Sequence, residues 1–165
     1  MTHLWTPWRS VYMQQKKDKI RCIFCDALAS PSGEENLVIY RGEATFAILN
    51  RYPYTSGHWM IAPNLHVSRL AQISERTANE LMNLTRRAEE IIEDVYHPDG
   101  LNIGMNLGQA AGAGIEQHIH MHVLPRWNGD ANFMTSIGDT RVIPESLRDT
   151  YFKLKQAFST APKRS

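Results

Sequence analysis

The stretch His118-Ile119-His120-Met121-His122-Val123-Leu124 constrains the fold most, because polar and apolar residues alternate through it. Side chains of a strand alternate between faces, so His118, His120 and His122 share one face and Ile119, Met121 and Val123 the other. On a helix the same residues scatter, with His120 roughly opposite the other two. The Glu that a helical zinc-protease motif needs after its first His is replaced by Ile119. The spacing therefore predicts a strand over 119–124, closed by Pro125, with three imidazoles on one surface and an apolar side in the core.

Elsewhere, branched and apolar runs predict strands over 37–40, 45–49, 59–62 and 101–105. The first two are joined by a tight turn at Arg41-Gly42-Glu43, and the third is stopped by Pro63. Ser74 is a good N-cap, with Glu75 in the first turn of the clearest helix. Its apolar residues Ala78, Leu81, Leu84, Ala88, Ile91, Ile92 and Val95 step by three and four, one buried stripe ended by Pro98 and Gly100. A glycine-rich loop covers 108–114, and a last helix is predicted over 145–158 with Pro144 at its first turn. Hairpins plus helices predict an α+β fold: an antiparallel sheet with one long helix and a C-terminal helix. The strand–helix alternation of a doubly wound sheet is missing.

The 165 residues suit a single domain with its own core, and no internal repeat is visible. No apolar run approaches the about 18 residues that span a bilayer. Residues 1–8 lack a basic segment followed by an apolar one, which predicts no signal peptide and no membrane partner. Eighteen Lys and Arg against seventeen Asp and Glu leave a net charge of +1, which argues against nucleic acid as a partner held by a broad field. The basic stretches 16–19 and 163–165 read as solvated surface. With seven His and two Cys, the chain is not a secreted disulfide scaffold, and a reducing, cytoplasmic compartment is expected.

Imidazole titrates near neutrality and serves as nucleophile, general acid or base, or metal ligand. Small residues in the loop upstream let backbone N–H groups approach an anion, so loop and histidines together suggest phosphate chemistry. Cys22 and Cys25 are three apart. No strand precedes them as a thioredoxin-like motif would require, leaving a zinc half-site that needs two more ligands, or two reduced and buried thiols. His3 and His97 read as surface or cap residues.

The 118–124 stretch fits the His-φ-His-φ-His-φ-φ signature, and the chain resembles the histidine-triad (HIT) family of nucleotide hydrolases and transferases. The resemblance covers about residues 20 to 130, the core of one HIT-like domain spanning 1–165 with N- and C-terminal extensions. It takes in Cys22-Ile23-Phe24-Cys25, Phe46-Ala47-Ile48-Leu49-Asn50, Gly57-His58-Trp59-Met60-Ile61-Ala62-Pro63, Asn106-Leu107-Gly108, Ala111-Gly112 and Pro125-Arg126-Trp127. Residues 4–9, 132–134 and 140–145 look most like the bacterial diadenosine-tetraphosphate phosphorylase branch.

The resemblance implies a covalent nucleotidyl-histidine on His120, formed on a nucleotide or dinucleoside polyphosphate and passed to water or inorganic phosphate. It implies that a backbone carbonyl fixes the His120 tautomer and that His122 and His58 donate to phosphate oxygens. Asn50 matches a ribose-holding position, and Asn106, Gly112, Ala113 and Gly114 lie along the phosphate approach. Trp127 reads either as a substrate contact from a partner chain or neighbouring loop, or as packing. Phe46, Ile48 and Leu49 are candidates for the base pocket or plain core. His66 and His118 match the remaining ligands of a structural zinc with Cys22 and Cys25. Gly114 stands where many family hydrolases have Gln, which leaves room for a phosphate acceptor. A nucleoside phosphoramidase and a non-catalytic nucleotide-binding module are the alternatives, and a homodimer joined through its sheets is expected.

Overall fold

Branched and aromatic residues dominate 45–49 and 59–62, and such side chains fit a pleated, covered surface. In the computed structural model, which describes residues 22–131, 137 and 144–161, all of these positions are buried. Chain order is α1 (Ile23–Ala29), β1 (Val38–Arg41), β2 (Thr45–Leu49), β3 (Trp59–Pro63), α2 (Glu75–Tyr96), β4 (Gly100–Met105), β5 (Met121–Arg126) and α3 (Leu147–Thr160). Short 3₁₀ turns lie at Leu70–Gln72 and Gln109–Ala111. The five strands form one antiparallel sheet in the order β1-β2-β3-β5-β4. The α+β architecture read from the sequence is the one observed.

Register decides which side chains meet on each face. Ile48, Met60, His122 and Gly104 pair in a row across β2, β3, β5 and β4, so they share one face. Leu49, Trp59, Val123 and Ile103 form the next row and point to the other face. There the Trp59 ring meets Phe158 of α3 at 6.1 Å. The stripe of α2 buries Leu81, Leu84, Ala88, Ile91 and Ile92, and α3 buries Tyr151, Leu154 and Phe158. Helices α2 and α3 thus cover one face of the sheet and leave the other to the histidines.

Ser74 caps α2 by accepting from the Thr77 amide, and Glu80 on the same helix accepts from the Ala44 and Thr45 amides of the β1–β2 turn. A side chain on Gly42 would collide with that carboxylate, which accounts for glycine there. His97 caps the C-terminal end of α2 in the left-handed region, φ 45°.

Strands β1, β3 and β4 differ from expectation by one residue, β3 running through Pro63, which pairs with Thr45, and two elements are shifted by two residues. The expected strand 119–124 is observed as β5, starting at Met121 and running through Pro125 to Arg126. Pairing with β3 stops at Ile61↔Met121, and the Ile119 amide bonds instead to the Val67 carbonyl at 2.8 Å. His118 and His120 therefore lie on the approach to β5. Pro125 is tolerated because only β4 pairs with that end of the strand. The last helix starts at Leu147, two residues after its expected start, because Ser146 is its cap and Glu145 turns away to accept from Tyr96 Oη and Thr150 Oγ1. Residues 4–9, 132–134 and 140–143, the basic stretches 16–19 and 163–165, and His3 lie outside the described residues.

Candidate functional site

Two groups of histidines meet where the chain enters β5. At one end Cys22, immediately before α1, and Cys25, in its first turn, face His66 from the loop after β3 and His118. Cys22 Sγ lies 3.3 Å from His118 Nδ1, and Cys25 Sγ lies 3.2 Å from His66 Nδ1. The four ligand atoms all fall within 4.8 Å of one another. A tetrahedral zinc with ligand bonds of about 2.0–2.3 Å would place its ligand atoms roughly 3.3–3.8 Å apart, so this cluster could hold a metal ion with little adjustment. The His118 ring donates Nε2–H to the Pro63 carbonyl at 2.8 Å, which leaves the Nδ1 lone pair turned to the sulfurs. Burial, followed by the hydrogen bond and charge of Cys22, pushes the Cys25 thiol up to about 11. A thiol raised in this way ionises near neutrality only where a cation compensates it.

The aromatic ring of Phe24, between the two cysteines, separates this cluster from the next histidine. Its centroid is 5.0 Å from that of His118 and 4.8 Å from that of His120. His120 is 5% exposed and donates Nδ1–H to the His118 carbonyl at 2.9 Å. Burial lowers its pKa, opposed by that weaker hydrogen bond. The ring is therefore neutral near pH 7, with its lone pair on Nε2. A neutral imidazole with its lone pair on Nε2 and the opposite nitrogen anchored is a competent nucleophile.

His122 stands on β5 beside His120, ring centroids 4.8 Å apart, and opposite Gly104, which adds no side chain. Burial, and then the neighbouring His120, depress its pKa to about 4. Its Nδ1 lies 2.9 Å from Nε2 of His58, which is 1% exposed. The structure thus places His58 behind His122. The other nitrogen of His58 meets Asn50 Nδ2 and the Tyr54 amide, each at 3.3 Å, and the Tyr54 ring lies against the imidazole at 4.8 Å.

The remaining candidates are distributed as follows. Phe46 and Ile48 are buried on the His122 face, whereas Leu49 faces the helices and lines a cavity of about 180 Å³ with Ser56, His58 and Glu145. Asn106 follows β4 directly. In the glycine-rich loop, the amides of Ala111, Gly112 and Ala113 close on the carbonyls of Gly108 and Gln109, so these N–H groups stabilise the turn itself. Gly114 follows this turn. Trp127 packs edge-on to Tyr96 at 6.3 Å. Phe24 and Tyr54 were not singled out from the sequence. Their only local signals are their places between the cysteines and four residues before His58.

Comparison with known proteins places this geometry. The family model described as "HIT domain" matches residues 33–129. The chain is 41% identical to "AP-4-A phosphorylase" of Mycobacterium tuberculosis over 98% of this chain and 87% of that one. A zinc-bound histidine triad family protein from Mycobacterium smegmatis superposes with TM-score 0.67 at 29% identity, covering 84% of this chain and 93% of that one. A uridylyltransferase shares the fold alone, with TM-score 0.71 at 12% identity over 94% of this chain and 51% of that one.

Proposed function

Because the chain belongs to the HIT domain family, we propose that it is an enzyme cleaving diadenosine polyphosphates by nucleotidyl transfer through His120. The observation that carries this reading is the His120 ring itself, held neutral with Nδ1–H on the His118 carbonyl and Nε2 bare. In the first step the Nε2 lone pair forms a bond to the α-phosphorus as the P–O bond to the rest of the substrate breaks. The electron pair leaves on that oxygen, so diadenosine tetraphosphate releases ATP. In the second step an oxygen of inorganic phosphate attacks the same phosphorus, the N–P bond breaks, and ADP departs. His122 stabilises phosphate charge in both steps, and His58 acts through it. Dividing one phosphorus substitution into two, with donors already in place, is how the geometry lowers the barrier.

Phosphate is favoured as acceptor over water by Gly114, which leaves no side chain to orient water, and by the similarity to the mycobacterial phosphorylase. Asn50 holds ribose, and Phe46 and Ile48 border the base. Asn106 and Gly114 flank the phosphates, and Trp127 reaches the substrate of a partner chain. Zinc fills the Cys22, Cys25, His66 and His118 set. With four protein ligands the set has no open position, so its role is structural. It fixes His118, whose carbonyl anchors His120.

Among the described residues no helix is long and apolar enough to cross a membrane. We place the protein in the cytoplasm, as a homodimer joined along the free edge of β4, where Ile103 is 44% exposed. Light scattering at micromolar concentration is expected to give twice 18.9 kDa, and a monomer refutes the dimer.

The activity is tested by incubating enzyme and diadenosine tetraphosphate with and without phosphate. ADP and ATP formed only with phosphate are expected. AMP and ATP in water alone instead make it a hydrolase. His120→Ala should reduce turnover by about 10³-fold or more while still binding nucleotide. Unchanged turnover by that variant refutes the mechanism, and turnover of adenylyl phosphoramidates alone assigns the protein to phosphoramidases.

A further inference from the structure

We propose that Asn50 is a positioning residue that sets where the proton sits on His58 and, through it, on His122. The backbone orients the Asn50 amide. The Tyr52 N–H donates to Asn50 Oδ1 at 3.0 Å, so the amino end, Nδ2, is the one turned to His58 Nδ1 at 3.3 Å. The Tyr54 N–H donates to the same nitrogen at 3.3 Å. A ring nitrogen that accepts two N–H groups carries the lone pair, so the proton of the neutral His58 ring is on Nε2.

That N–H faces His122 Nδ1 at 2.9 Å, and a donor at one end of a hydrogen bond requires a lone pair at the other. The proton of neutral His122 is consequently on Nε2, the ring nitrogen not engaged with His58. Two backbone amides of the 52–54 loop therefore determine, through Asn50 and His58, that His122 presents a donor.

The consequence for catalysis rests on the reading under Proposed function. As the His120–phosphorus bond forms and the P–O bond breaks, an Nε2–H on His122 stabilises phosphate oxygen charge, whereas a lone pair there would repel it. Asn50 has a free amide hydrogen and a free oxygen lone pair after these contacts, so holding ribose is compatible with this role.

The isosteric substitution Asn50→Asp tests the chain of tautomers, because a carboxylate still accepts from Tyr52 but has no N–H to give His58. The first readout is the long-range proton–nitrogen NMR spectrum of the histidine rings in the substrate-free, full-length chain. In the wild type, His58 and His122 should each show a protonated Nε2 and a bare Nδ1. In N50D the new carboxylate takes an Nδ1–H from His58 against the Tyr54 amide that still faces that nitrogen, and the proton moves to Nδ1 on both rings. A wild-type spectrum with Nδ1–H on either ring overturns the proposal, even if the variant does not fold. So does an N50D spectrum in which His122 keeps its proton on Nε2. The second readout is kinetic. N50D should lower kcat for diadenosine tetraphosphate by about 100-fold with a much smaller change in KM. A rise in KM alone makes Asn50 a ribose contact only and overturns the positioning role. The spectra involve no substrate, so a wrong substrate assignment leaves the first readout intact.

Discussion

The two ends of the histidine row use one side chain for opposite purposes. His118 gives Nε2–H to the Pro63 carbonyl and turns a lone pair to two sulfurs, an arrangement that receives a cation. His122 takes a hydrogen bond on Nδ1 from His58 and so turns its N–H away, an arrangement that receives an anion. His120, between them, donates to the backbone and keeps the lone pair on Nε2, the nitrogen to which we assign the attack on phosphorus. Identity of the ring decides none of this. What decides it is whether the anchoring group is a carbonyl, which accepts a hydrogen bond, or an N–H, which donates one.

The two ends should therefore fail in different ways, and the larger failure belongs to the Cys22–Cys25 end. With zinc bound as proposed, its removal by a chelator, or Cys25→Ser, takes away the cation that compensates the close sulfurs and releases α1 from His118. The expected cost is about 3 kcal/mol or more, a fall in Tm on the order of 6–12 °C for a chain of this size, together with loss of bound zinc by elemental analysis. Activity falls as well, since the His118 carbonyl is the anchor of His120. Asn50→Asp, at the other end, should leave Tm within about 2 °C while changing kcat. If chelation leaves Tm unchanged, the cysteine end contributes packing alone and the contrast between the ends collapses.

Much of the sheet was legible because local patterns carry it. The 45–49 strand has the observed limits, and Ser74 caps α2 where the capping preference put it. The alternation in 118–124 brings three imidazoles together in sequence, but it says nothing about where each ring's nitrogens point. That depends on Pro63, 55 residues from His118, and on His58, 64 residues from His122. The start of β5 was illegible for a related reason. Ile119 has strand character, yet its amide is taken by Val67, a contact that only the course of the loop after β3 supplies. Leu49 shows the same limit for faces. Period two separates it from Ile48, but only pairing with Trp59 reveals that it looks toward the helices. Likewise Glu145 belongs to a helix by local preference and leaves it for Tyr96, 49 residues away.

His97 offers the smallest test of the idea that anchoring groups, not the ring, set a histidine's role. It ends α2 in the left-handed region at φ 45°, with its amide on the Glu93 carbonyl, and its contribution there is made by its backbone. Glycine adopts that conformation without the steric cost that a Cβ adds. His97→Gly should therefore stabilise the chain slightly, by up to about 1 kcal/mol, or a rise in Tm of roughly 2–4 °C. Zinc content and kcat should be unchanged. A loss of bound metal or of turnover in this variant would mean that a histidine outside the row acts through its ring, and the division of labour drawn from the carbonyl and N–H anchors would need a further member.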